Sequence, residues 1–213
     1  DSVLPHVRTD IVEYLQATKD FGLRRMQLNY YKNPYSEIYA KISIGILEEM
    51  FGGVGGEILW RPMNHSFAVG AEIWSVKQRD YDMQFSFLDY ETTTGHINLY
   101  YHEPYSRITF AVKGGKFLAG DSGVNIDFHR RFESGLRMGA FFALTDISKE
   151  EFGEGSFDKG FYFSIPIQAF YSNYSRKLAA WGLKPVTRDG AAFVHHSHTL
   201  WSLTEPAQRY DIE

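Results

Sequence analysis

The sequence predicts an all-β protein, an antiparallel up-and-down transmembrane β-barrel of about ten strands with a short N-terminal helix. Three observations predict it. The first is two-residue alternation. In residues 136–145 the even positions Leu136, Met138, Ala140, Phe142 and Leu144 are all apolar, and the odd ones are mixed. Residues at i and i+2 of a strand share a face, so the segment has one oily side. Val124, Ile126 and Phe128 oppose Asn125, Asp127 and His129 in the same way. Ile108, Phe110 and Val112 oppose Arg107, Thr109 and Lys113, and Ile97, Leu99 and Tyr101 oppose His96, Asn98, Tyr100 and His102. A charge-free face backed by a wet one suits a closed sheet in a bilayer. The second is that no apolar run reaches the roughly 18–20 residues of a spanning helix. The mean hydropathy of −0.32 still suits a barrel, in which only alternate residues meet lipid. The third is turn chemistry between the alternating runs: Asn33-Pro34, Arg61-Pro62, Glu103-Pro104, Gly114-Gly115 and Asp189-Gly190.

Taken in order, residues 1–22 form a helical segment. Asp10 stands as N-cap with Glu13 three residues on, and Gly22 offers a stop. Residues 23–213 form the barrel domain, with strands near 24–31, 36–46, 57–61, 66–76, 82–89, 95–102, 106–113, 123–131, 135–145, 159–168 and 187–203. Residues 47–56 make a Gly-rich link, and 169–186 alternate too poorly to assign. Short turns at 103–105 and 132–134 fall on one rim. Longer links at 90–94, 114–122 and 146–158 fall on the other, the asymmetry of outer-membrane barrels. Pro166 lacks a ladder donor, so its strand ends nearby or bulges there. Asp1 marks a processed form or an excised piece.

Composition narrows the function. The chain has 213 residues, a net charge of −4 and no cysteine. Disulfides, thiolate metal sites and a Cys nucleophile are excluded, and nucleic acid is not an expected partner. Ser, His and Asp occur without a nucleophile-elbow pattern. Gly52-Gly53-Val54-Gly55-Gly56 lacks the Lys-Ser/Thr of a phosphate loop. His195, His196 and His198 suggest a metal, but no ligand cluster stands near them in sequence, so no metal and no cofactor are expected. The polar strand face supplies the candidate lumen residues Glu37, Lys41, Glu72, Arg107, Lys113, Asp127, His129, Arg131 and Arg137. They either line a polar passage or pair into a plug. Arg107, Lys113, Arg131 and Arg137, with Asp127 as their one acid, form a cationic stripe suited to anionic sugars. Trp60, Trp74, Tyr100, Tyr101 and Tyr162 suit interfacial girdles.

Three strings resemble one family. They are residues 48–62, from Glu48 through Gly52-Gly53-Val54-Gly55-Gly56 to Pro62; residues 115–121; and the acidic loop Glu150, Glu151, Phe152, Gly153, Glu154, Gly155, Ser156, Phe157, Asp158, Lys159 with Gly160. Together they resemble the YjbH/GfcD-type exopolysaccharide and capsule proteins. The resemblance implies an outer-membrane β-barrel of a Gram-negative bacterium, here the C-terminal portion of a longer protein. It implies a role in making or exporting extracellular polysaccharide, with outer-membrane lipid, the polysaccharide and periplasmic proteins of the same export system as partners. It supplies no catalytic residue, and none is expected. Two other readings remain: a soluble antiparallel sandwich that binds carbohydrate, and a glycan hydrolase using Glu150, Glu151, Glu154 or Asp158.

Overall fold

The computed structural model describes residues 4–17, 22–148, 157–167, 170, 178–184 and 189–205. It contains one antiparallel sheet of ten strands, each paired with its neighbours in chain order. These are β1 (Met26–Tyr35), β2 (Ile38–Ile46), β3 (Phe51–Trp60), β4 (Phe67–Arg79), β5 (Phe87–Glu103), β6 (Ile108–Lys116), β7 (Ser122–Arg131), β8 (Arg137–Thr145), β9 (Asp158–Pro166) and β10 (Leu178–Leu183). Helix α1 (Ile11–Ala17) precedes the sheet and α2 (Leu200–Thr204) follows it. Among the described residues β1 and β10 do not pair with each other, so the up-and-down order is present without closure. No described helix is long and apolar enough to cross a membrane, which does not bear on strands.

Alternation sorts the two faces as the sequence predicts. On β5, Ile97, Leu99 and Tyr101 are exposed, while His96, Asn98, Tyr100 and His102 are buried. The contrast is large: Ile97 is 63% exposed and His96 4%. The exposed apolar face continues through Ile42, Ile44, Val54, Ile58, Ile73, Phe110, Val124, Phe128, Met138 and Leu144. The molecule is therefore inverted relative to a water-soluble sheet, with its oil outside and its polar groups covered.

What covers the polar face overturns one expectation. Of the strand expected at 187–203, the described residues 189–203 form no strand. After β10 the chain crosses the covered face as an irregular segment ending in α2, whose N-cap Thr199 accepts from Ser202 N. Leu200 and Trp201 pack with Leu59, Ala68, Tyr100 and Ala111 near one rim. Val194 and Ala192 pack with Leu47, Phe51, Trp74, Val76 and Leu118 near the other, where Val7 and Tyr14 of the N-terminal segment join them. Helix α1 is described over Ile11–Ala17, and residues 18–21, before the expected stop at Gly22, lie outside the described residues. The Asp10 carboxylate bonds His6 and Tyr81.

Other elements shift for local reasons. The expected strand 82–89 keeps only its last residues, from Phe87, and 82–86 lie in the preceding link. These last residues fuse with 95–102 into β5, because the threonines of 90–94 are good strand formers and pair with β4. The Gly-rich stretch is mostly β3, whose Gly55 lies opposite Trp74. Gly114-Gly115 continues β6, and Asn33-Pro34 sits at the irregular end of β1. β9 ends at Pro166, and β10 occupies part of 169–186. With β5 unbroken, links 104–107 and 132–136 still share one rim, and 117–121 still shares the other with the link from β8 to β9. However, 90–94 is no longer a link, and the one expected at 77–81, now 80–86, falls on the long-loop rim.

Candidate functional site

The candidate site is the buried ionic network between the covered face and the C-terminal segment. It begins with a sequence oddity. Glu57 on β3 and Glu72 on β4 are direct cross-strand partners. Like charges placed opposite each other are unfavourable, more so away from water. The surroundings compensate. Lys41, the partner of Glu57 on β2, is fully buried and places Nζ 2.9 Å from Glu57 Oε2. The same Nζ donates to the His198 carbonyl at 2.9 Å. Leu200 N donates to Glu57 Oε2 at 3.0 Å. Glu72 accepts from Trp74 Nε1 at 3.2 Å and lies 3.9 Å from Lys113 Nζ. His196 Nε2 stands 3.6 Å from both Glu57 Oε1 and Glu72 Oε2, and its ring stacks on Trp74 at 4.3 Å. An open cavity of about 360 Å³ borders this network, lined by Glu72, Trp74, Thr94, His96, Lys113 and His196 among others.

A second knot lies nearer α2. His129 bonds Asp127 at 3.1 Å and Glu205 at 3.3 Å, and Arg137 reaches Glu205 at 2.5 Å. Tyr162 donates to Asp127. Burial works against the charged form of Glu205. The His129 hydrogen bond and the Arg137 charge outweigh it and hold the pKa at about 2. At the opposite rim the two terminal segments clasp. Asp189 accepts from Arg8 N, Thr9 N and Thr9 Oγ1 at 2.6, 3.0 and 3.0 Å. Arg8 pairs with Glu48 at 3.0 Å, yet burial still pushes the Glu48 carboxyl above its usual range. Arg79 is wholly buried and donates to the carbonyls of Leu23, Glu48, Glu49 and Gln84.

Of the residues predicted for the polar face, Lys41, Glu72, Lys113, Asp127, His129 and Arg137 meet in these two knots. Arg131 lies opposite Arg137 in the ladder. Two others do not face inward. Glu37 sits in the β1–β2 turn and accepts from Met63 N at 3.0 Å. Arg107 sits in the β5–β6 turn with φ 55°, 3.4 Å from exposed Glu133. The cationic stripe is also not free. Glu205 pairs Arg137 and Glu72 faces Lys113, so Asp127 is not its one acid. Of the proposed girdle, Trp60 and Tyr101 are exposed, whereas Trp74 and Tyr100 are buried on the polar face and Tyr162 turns to Asp127.

In the acidic loop, Glu150, Glu151, Phe152, Gly153, Glu154, Gly155 and Ser156 lie outside the described residues. Asp158 is buried 2.9 Å from Lys184 Nζ, and Lys159 lies over the Phe157 ring at 4.3 Å. Sequence reasoning missed Glu57, Arg79, Asp189, Trp201 and Glu205. Alternation with Leu59 could have placed Glu57 on the polar face. Glu205 carried no local signal.

Comparison with known proteins accounts for the recurring strings. No solved structure matches. The chain is 39% identical over 209 residues to the "Uncharacterized lipoprotein YjbH" of Escherichia coli (strain K12). That alignment covers 96% of this chain and 30% of the relative, so the chain spans less than a third of the relative's length. A family model described as "Exopolysaccharide biosynthesis protein YbjH" matches residues 1–206. The chain belongs to the YjbH exopolysaccharide biosynthesis family.

Proposed function

We propose that this chain forms part of an outer-membrane β-barrel that takes part in the synthesis or export of an exopolysaccharide, with its apolar face against lipid and its C-terminal segment inside. The observation that carries the reading is the exposed, uncharged face. On β4 the outward positions from Phe67 to Ser75 bear no charge, and Lys77 paired with Glu91 ends the run. Residues 67–75 measure roughly 27 Å along the strand. A tilt of ~40° reduces this to about 21 Å, near the ~25 Å apolar band of outer-membrane barrels. Trp60, Phe67, Tyr101 and Phe110 gather at one end of the band, where aromatic rings favour the interface.

The relative's name as a lipoprotein supports an envelope address. The free edges of β1 and β10 expose backbone groups that hydrocarbon does not satisfy. In the assembled protein they pair with each other or with further strands. The proposed partners are outer-membrane lipid, the polysaccharide and periplasmic proteins of the same system. The role is one of passage or scaffolding, not bond cleavage. Asp158, the described member of the acidic loop suggested for hydrolysis, is tied to Lys184. Deleting the protein should abolish polysaccharide secretion. The wild type should restore it from the outer-membrane fraction, and a Phe110→Arg, Met138→Arg variant should not. Full secretion supported by a water-soluble periplasmic form would contradict the reading.

A further inference from the structure

We propose that Glu57, Glu72 and His196, with a water as fourth ligand, form a binding site for a divalent transition-metal ion that fastens the C-terminal segment to the sheet. The three side chains come from β3, β4 and the C-terminal segment, and one donor atom of each lies within 4.8 Å of the others. His196 Nε2 is 3.6 Å from an oxygen of each carboxylate. That is too long for a hydrogen bond. It matches the roughly 3.3–3.6 Å between ligands sharing a tetrahedral Zn²⁺ at about 2.0–2.2 Å. His196 Nδ1 lies 2.9 Å from the Ser197 carbonyl. A histidine donating its Nδ1 proton to that carbonyl leaves Nε2 with a lone pair, the usual state of a metal ligand. Lys41 Nζ, 3.2 Å from the same Nδ1, can only donate, so this tautomer requires Lys41 to spend its protons on Glu57 and the His198 carbonyl.

A second, independent feature points into the same place. The His96 side chain is 2% exposed, and neither of its ring nitrogens has a hydrogen-bond partner among the described residues. Its Nδ1 is 3.6 Å from Glu72 Oε1, and it lines the same cavity as Glu72 and His196. A buried imidazole without partners carries a cost that a water held on the ion would relieve by hydrogen bonding to it.

The competing account uses the two lysines. Lys41 and Lys113 already face the carboxylates, and an imidazolium at His196 would complete a purely ionic strap. The geometry limits it. Lys41 occupies Glu57 Oε2 and Lys113 approaches Glu72 Oε1, while His196 faces the other oxygen of each. The donor set of two carboxylates and an imidazole suits Zn²⁺ and its neighbours better than calcium or magnesium.

The test uses the full chain purified in detergent and stripped with chelator. Calorimetric titration with Zn²⁺ should show one ion per chain. Affinity should fall in His196→Ala and in Glu72→Gln by more than the roughly 10–100-fold that losing an outer-shell partner costs, and stay unchanged in His198→Ala, whose side chain lies outside the cluster. Co²⁺ in the wild-type chain should give the intense visible absorption of four-coordinate ligation, which needs no variant to fold. Zn²⁺ should also slow proteolysis of residues 189–205, but only with His196 present. Absence of wild-type uptake, a weak octahedral Co²⁺ spectrum, or affinity indifferent to His196 and Glu72 would each overturn the site and leave the ionic strap.

Discussion

At the scale of residues, small and charged side chains are placed by the same constraint, the crowded covered face. Three glycines there sit beneath aromatic rings from the neighbouring strand: Gly55 under Trp74, Gly139 under Tyr162 and Gly160 under Phe141. A Cβ at Gly55 would overlap the Trp74 ring and the Ile73 carbonyl, whereas one at Gly114 meets nothing nearer than Val124 at 3.8 Å. Gly55→Ala is expected to destabilise by about 1–3 kcal/mol through overpacking, and Gly114→Ala by much less. Denaturant unfolding in detergent compares them. Equal stabilities would mean that Trp74 moves aside freely. Glu205 gives a pH prediction. Its carboxyl pKa is depressed in the folded chain to about 2. Its contribution is therefore complete above the unfolded value near 4.3 and lost as pH falls toward 2. Trp201 fluorescence should report α2 loosening across that window, and Glu205→Gln should remove the transition. A signal unchanged by the substitution would assign the loosening to other groups.

Elements show where sequence logic holds and where it stops. Alternation is a backbone property, so the strands carrying it from β4 to β9 were legible, and so were most of the residues on their polar face. Glu37 and Arg107 were misplaced because they fall one residue outside their strands, in turns where parity no longer applies. The C-terminal segment was misread because His196 and His198, with the apolar residues around them, mimic a two-residue period. What fixes its real path is tertiary: Trp201 stacks on Tyr100 at 4.1 Å with Arg61 above it at 4.3 Å, and Glu205 reaches His129 and Arg137. No local pattern announces such contacts. Trp201→Ala should cost about 3–5 kcal/mol, the range for a packed aromatic, while exposed Leu203→Ala should cost little. A chain whose melting is indifferent to Trp201 would show that the segment does not brace the sheet.

For the whole molecule, the two faces make opposite demands on their surroundings. The covered face is satisfied internally by ion pairs, stacking and the C-terminal segment. The other displays Leu28, Ile42, Ile44, Ile73, Ile97 and Leu99 with no described residue over them. So broad an apolar surface is not stable against water. It needs lipid, or a second sheet as in a sandwich. With lipid as the neighbour, Ile97→Arg should cost about 2–4 kcal/mol near the bilayer midplane. Measured stability in lipid vesicles checks this, and a negligible cost would place the residue near an interface or in water. The same duality frames export. Residues 189–205 lie over the covered face, so in the proposed barrel any passage of an anionic glycan along Lys113 and Arg137 requires that segment to move first. Single-channel recording of the full protein should show larger conductance when the Asp189 and Glu205 clasps are removed.

The central claim, that the uncharged face meets lipid, is open to a direct measurement: these 213 residues hold no cysteine, and any in the rest of the full protein are replaced first. Single spin labels at Ile97, Asn98, Phe110, Ala111, Val124 and Asn125 in the full protein, reconstituted in bilayers, report collision with oxygen and with a water-soluble nickel chelate. The account predicts a period of two, with high oxygen and low nickel accessibility at Ile97, Phe110 and Val124, and shielding from both at their neighbours. Nickel accessibility at those three positions would place the face in water. Shielding from both reagents there would place it against another protein surface, and either result would contradict the account.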